Sequence, residues 1–117
     1  MKTAHLIVVA PGLYWPSGEY IELAVLDIDS ASLSQRLGVP LQQGEEPGLG
    51  PWEAIGAKLQ SGDLIEFISY AQEPYPGFTL RADAGNRSFR VISESLAGLG
   101  LREGALLWVS PLVQDRA

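Results

Sequence analysis

The chain has 117 residues, enough for one domain with a sizeable core and too few for two. It carries 14 acidic and 8 basic side chains, one histidine and no cysteine, for a formal net charge of -6. These counts exclude disulfide frameworks, thiol nucleophiles, thiolate zinc sites and any site built on two imidazoles. The negative balance argues against nucleic acid as a partner, because phosphate recognition runs on lysine and arginine.

Residues 4–10 are apolar at both alternating positions, Leu6 and Val8 on one side and Ile7 and Val9 on the other, which predicts a central strand buried on both faces. Their β-branched character and the lack of a small-residue cleavage site speak against a signal peptide, and no apolar run approaches the roughly 20 residues of a membrane helix. The expectation is a soluble, cytoplasmic protein with no membrane partner. A loop with Pro11, Gly12, Pro16, Ser17 and Gly18 then carries Tyr14 and Trp15. Residues 19–28 alternate, with Ile21, Leu23 and Val25 against Tyr20, Glu22, Ala24 and Leu26, and predict a second strand in a hairpin with the first.

Asp29 and Ser30 are N-cap residues, and with Leu33, Leu37 and Gly38 they predict a helix of about two turns. Residues 38–50, rich in Gly and Pro, read as an exposed loop. Pro51 followed by Trp52, Ile55 and Leu59 predicts a second helix ending at Ser61 and Gly62. Residues 63–70 and 78–83 alternate on either side of a Pro-rich turn and predict a hairpin in which Arg81 pairs across to Glu66. Phe89, Ile92, Leu96 and Leu99, with Arg90 and Glu94 four apart, predict a third helix, with continued sheet at 88–92 as the alternative. Residues 105–109 close the domain as a buried strand. The fold class expected for residues 1–117 is a single α+β domain, a mostly antiparallel sheet of about five strands with two to three helices packed on one face.

Few residues suggest catalysis. His5 stands on an apolar strand without a nucleophile motif, and there is neither a G-x-S-x-G elbow nor a P-loop. Asp27 and Asp29, two apart at a strand end, are the best candidates for a carboxylate-dependent or metal-assisted enzyme, although Asp29 also reads as a helix cap. No catalytic residue, metal or cofactor is therefore expected in the leading reading. Charge is unevenly placed: residues 1–73 hold ten acids and three bases, and residues 74–117 four acids and five bases. The acidic part also holds Tyr14, Trp15, Tyr20 and Trp52. Aromatic anchors among carboxylates suit the binding of a basic protein surface, and the expected partner-binding residues are Tyr14, Trp15, Glu19, Asp27, Asp29, Glu45 and Glu46. A homo-oligomeric structural subunit is the third class.

The segments GDLIEFISY at 62–70, GFTLRAD at 77–83 and ALLWVSP at 105–111 give the second half a texture that resembles the small acidic immunity proteins of bacterial polymorphic toxin systems, contact-dependent growth inhibition among them. That resemblance implies a protein that binds one cognate toxin, often a basic nuclease, and needs no catalytic group of its own. It carries no site residue over, because these proteins share no diagnostic motif.

Overall fold

The computed structural model describes residues 6–10, 15–73 and 76–115. In chain order the described elements are β1 (Leu6–Val9), β2 (Tyr20–Leu26), α1 (Ser30–Leu37), β3 (Gln42–Glu46), β4 (Gly50–Leu59), β5 (Leu64–Tyr70), β6 (Phe78–Asp83), α2 (Phe89–Leu99) and β7 (Leu106–Val109). The strands form one antiparallel sheet of order β1-β4-β5-β6-β2-β7. The ten-residue β4 carries β3 beside its first half and β1 beside its second. The architecture is α+β, with seven strands and two α-helices among the described residues.

Alternation along the strands sorts the sheet into two faces. Ile55, Phe67, Leu80 and Ala24 lie in one register row across β4, β5, β6 and β2, and all are buried. Leu33 of α1 and Val91, Ile92, Leu96 and Leu99 of α2 join this core, so the helices cover that face. Both helices have the ends that their residues dictate. Asp29 accepts a hydrogen bond from the Ser32 N–H and Ser88 from the Arg90 N–H, while Gly38 and Gly100 close the helices in the left-handed conformation. Arg36 of α1 donates from Nη1 to the Leu99 carbonyl at 2.7 Å, placing a cation at the negative end of α2 and tying the two helices together. Gly98 lets α2 press on β1, since a Cβ there would lie 2.5 Å from Leu6 Cγ. Neither helix is long and apolar enough to cross a membrane.

Several sequence expectations are corrected. The stretch expected as the second helix lies in β4 (Gly50–Leu59) and is not a helix: Trp52, Ile55 and Leu59 fit a helical stripe, but Ile55, Ala57 and Leu59 also alternate, and pairing with three strands satisfies the backbone of this stretch. The expected loop at 38–50 contains β3, which turns back onto β4 through Pro47, Gly48 and Leu49. The first strand does not pair with the second. It is an edge strand on β4, and Ile7 is 59% exposed. The last strand is likewise an edge, with Leu107 and Trp108 exposed instead of buried. In β2 a bulge between Glu22 and Ala24 moves Ala24 and Leu26 to the helix face and Val25 to the other, reversing the simple alternation after Glu22. The third helix and the β5–β6 hairpin stand where the sequence places them.

The edge position of β1 makes a direct prediction. Ile7→Ser should change stability by no more than about 0.5 kcal/mol, as exposed substitutions do. A central strand would lose several times that, and denaturant unfolding separates the two.

Candidate functional site

The face of the sheet that the helices leave open carries a polar row through its middle. In register, Gly56 of β4 lies opposite Glu66 of β5, Glu66 opposite Arg81 of β6, and Arg81 opposite Glu22 of β2. Arg81 Nη1 is 3.3 Å from Glu66 Oε1 and its Nη2 is 3.7 Å from Glu22 Oε2. The Arg81 and Glu66 side chains are almost fully buried, while that of Glu22 is half exposed.

Aromatic rings enclose this row. The Arg81 guanidinium carbon lies 4.2 Å from the centre of the Tyr20 ring and 5.9 Å from that of Tyr70, although the register sets these tyrosines towards opposite ends of the sheet. Both are in cation–π range. Trp15 packs tilted against Tyr20 with ring centres 6.3 Å apart. On the far side Trp52 lies over its cross-strand partner Gly44, where a Cβ would fall 2.2 Å from the indole ring. Glycine at 44 is therefore what seats Trp52. Together Trp15, Tyr20, Trp52, Tyr70, Glu46, Glu66 and Arg81 line a hollow of about 370 Å³.

The electrostatics keep Arg81 charged and Tyr70 neutral. Burial works against the Arg81 cation, but Tyr70, Tyr20 and Glu66 outweigh it and keep its pKa above an already high ordinary value. Burial pushes the Tyr70 hydroxyl above its usual 10.0; Arg81 opposes the rise, and Glu46, which accepts the hydroxyl proton at 3.0 Å, adds to it. Tyr70 is thus a neutral donor near pH 7. One polar atom is left over: Arg81 Nε is buried and has no hydrogen-bond partner among the described residues.

Asp83 positions the Trp15 wall. Its carboxylate accepts from the Ser17 N–H at 2.8 Å and from the Gly85 N–H at 2.9 Å, anchoring the turn in which the Gly18 N–H donates to the Trp15 carbonyl. The Ser17 N–H, opposed by slight burial and helped by Gly85, holds the Asp83 carboxyl below its usual 3.8. A lowered folded pKa means that the anchor is at full strength above about pH 4 and is lost as pH falls through the folded value. Tryptophan emission should therefore show an acid transition below pH 4 that is weakened in Asp83→Asn. Superimposable acid curves for the two proteins would remove Asp83 as the anchor.

The structure brings only part of the expected contact set together. Trp15 and Glu46 line the hollow. Glu45 lies beside Glu46 on β3, opposite Pro51, and alternation turns it to the other face. Glu19 precedes β2 and Asp27 follows it, a span of eight residues or roughly 26 Å in extended chain. Asp29 is engaged as the cap of α1, and Asp27 is exposed beside it. Tyr14 and His5 lie outside the described residues. Among the described residues no three His, Cys, Asp or Glu side chains converge as a metal site. The expected Arg81–Glu66 pair is present, but it stands at the centre of the hollow, a role its position in a hairpin does not announce. Tyr20, Tyr70 and Trp52 were missed as its walls. The available signal was a charged residue, Glu66, flanked by Leu64 and Ile68 on one side of an alternating strand.

Fold and site thus define an α+β protein whose antiparallel sheet is covered by helices on one face and opens a charged aromatic hollow on the other. Comparison with protein-family models, curated proteins and solved structures finds no match to the chain.

Proposed function

We propose that the protein is a non-enzymatic binding protein of the immunity type, which neutralises a cognate basic toxin in the cytoplasm by docking it on the open sheet face. The observation that supports this reading is the hollow itself. Four aromatic rings line a hollow in which the carboxylates of Glu46 and Glu66 outnumber the single guanidinium of Arg81. Tyrosine and tryptophan supply contact area at low entropic cost, and an acidic chain speeds encounter with a basic partner. Nothing in that mode of action calls for a nucleophile or a metal.

The test is growth. Cells that make the toxin domain encoded beside this gene should die without the protein and grow with it. The Tyr20→Ala, Trp52→Ala double variant, verified as folded by circular dichroism, should fail to protect. A non-toxic neighbouring product, or full protection by the double variant, overturns the reading.

A further inference from the structure

β1 is at odds with its own sequence. Leu6, Ile7, Val8 and Val9 are apolar at both alternating positions, the pattern of a strand buried on both faces, yet the single chain leaves β1 at a sheet edge with Ile7 59% exposed. Three strands have a free edge among the described residues, and two of these edges are blunted. β3 carries Glu45 and Glu46, while β7 has a register shift between its pairs with Val25 and Leu26 and is followed by Pro111. β1 has no charge, no proline and no shift in its register with β4. Such a bare edge is a template for another strand.

The backbone shows which groups are on offer. The Leu59 N–H donates to the Asp63 carbonyl, on the β5 side of β4. Alternation then turns the Lys58 backbone towards its partner Ile7, so the N–H and C=O groups of Leu6 and Val8 point away from the sheet. Charge selects the occupant. Residues 3–18 hold no Asp, Glu, Lys or Arg, in a chain of net charge -6. A basic partner finds no carboxylate to pair with on this strand, whereas two acidic copies repel each other least at a neutral edge.

We propose that two copies of the chain associate by antiparallel pairing of β1 with β1, about a two-fold axis at Ile7. The joined sheet keeps each face continuous only if residues of the same face stand opposite one another. Centring on Ile7 does this, setting Leu6 against Val8 of the second copy and joining them through the outward backbone groups of both. Ile7 meets its own counterpart in the close, non-hydrogen-bonded pair, with Cα atoms about 4.5 Å apart. Val9 of the second copy falls beyond Leu6, at the end of the strand where Leu6, Ile7, Lys58, Leu59, Gln60 and Gly62 line a groove of about 440 Å³. The two Lys58 cations do not oppose the contact: three strand spacings, about 14 Å, separate the two copies of β4, which is more than a Debye length at physiological salt. β1 thereby becomes the central strand that its sequence describes. A four-residue strand gives a small interface, under about 1,200 Å², so the copies part on dilution. The pairing is independent of the toxin-binding reading, because it uses an edge and not the hollow.

The experiment uses the full chain. Sedimentation velocity over a concentration series from about 5 µM to about 1 mM should show a monomer becoming a dimer by mass action. Ile7→Lys puts two ammonium groups face to face across the axis and should weaken association at least about tenfold, while the melting of dilute protein stays unchanged. The small cost of Ile7→Ser given above belongs to the dilute monomer and should grow with protein concentration. The cysteine-free chain also allows a clean cross-linking probe. Under mild oxidation with copper phenanthroline, Ile7→Cys should give a disulfide-linked dimer, since the paired positions lie within disulfide reach. Leu107→Cys, 49% exposed on the β7 edge, should not.

A chain that stays monomeric through the whole series, undiminished association of Ile7→Lys, or cross-linking at 107 equal to that at 7 overturns the proposal. The growth assay decides the toxin-binding reading separately. A strictly monomeric protein that protects cells keeps that function and loses only the dimer.

Discussion

Glu66→Leu should destabilise the folded chain by about 3 kcal/mol, because it leaves Arg81 nearly buried without its closer counter-ion. Glu22, half exposed and 3.7 Å away, offers only partial compensation. The companion variant Arg81→Met should be destabilising too, since it removes the cation that faces the nearly buried Glu66 carboxylate at 3.3 Å. The double variant Glu66→Leu, Arg81→Met should recover most of the loss, because a buried ion pair replaced by packed apolar groups is often neutral or better. Urea unfolding of the four proteins gives the coupling directly. The double variant separates stability from function: its fold should return while protection stays lost. If Glu66→Leu alone costs less than about 0.5 kcal/mol, the pair is solvated in solution and the account of the hollow's centre fails.

Phe67→Ala should cost about 3 to 5 kcal/mol. Phe67 is fully buried on β5, in register between Ile55 and Leu80 and beneath the helices, so the cavity left by its ring has no easy route to collapse. That is a large share of the 5 to 15 kcal/mol or so that holds a typical domain folded. A fall in Tm of more than about 10 °C is expected. Since Phe67 points to the helix face and Glu66 to the open face, the two variants probe opposite sides of one strand. Only the Glu66 variant should alter binding at a temperature where both proteins are folded.

Much of the local structure could be read from short stretches of chain. Asp29 and Gly38 bracket α1, and Ser88 and Gly100 bracket α2, because caps act within a turn of the helix they end. The β5–β6 hairpin was legible for a similar reason, with two alternating runs and turn residues between them giving the Glu66–Arg81 register. Residues 51–60 were not legible, since the same apolar positions satisfy a helical stripe and a strand alternation. The site was less legible still. Trp15, Tyr20, Trp52, Tyr70 and Arg81 lie on a turn and four different strands, and no spacing in sequence links them.

Sequence alone thus determined the α+β class, the acidity, the two capped helices and one ion pair, all set by composition or by contacts within a few residues to a hairpin's length. Tertiary structure decided the rest. Pairing with β1, β3 and β5 made Gly50–Leu59 a strand, because distant backbone groups supplied its hydrogen bonds. The bulge after Glu22 chose which side chains of β2 face the helices. By covering one face, the helices left Arg81 and its aromatic walls on the other, and a surface made by four strands meeting exists only once non-local pairing has brought them together.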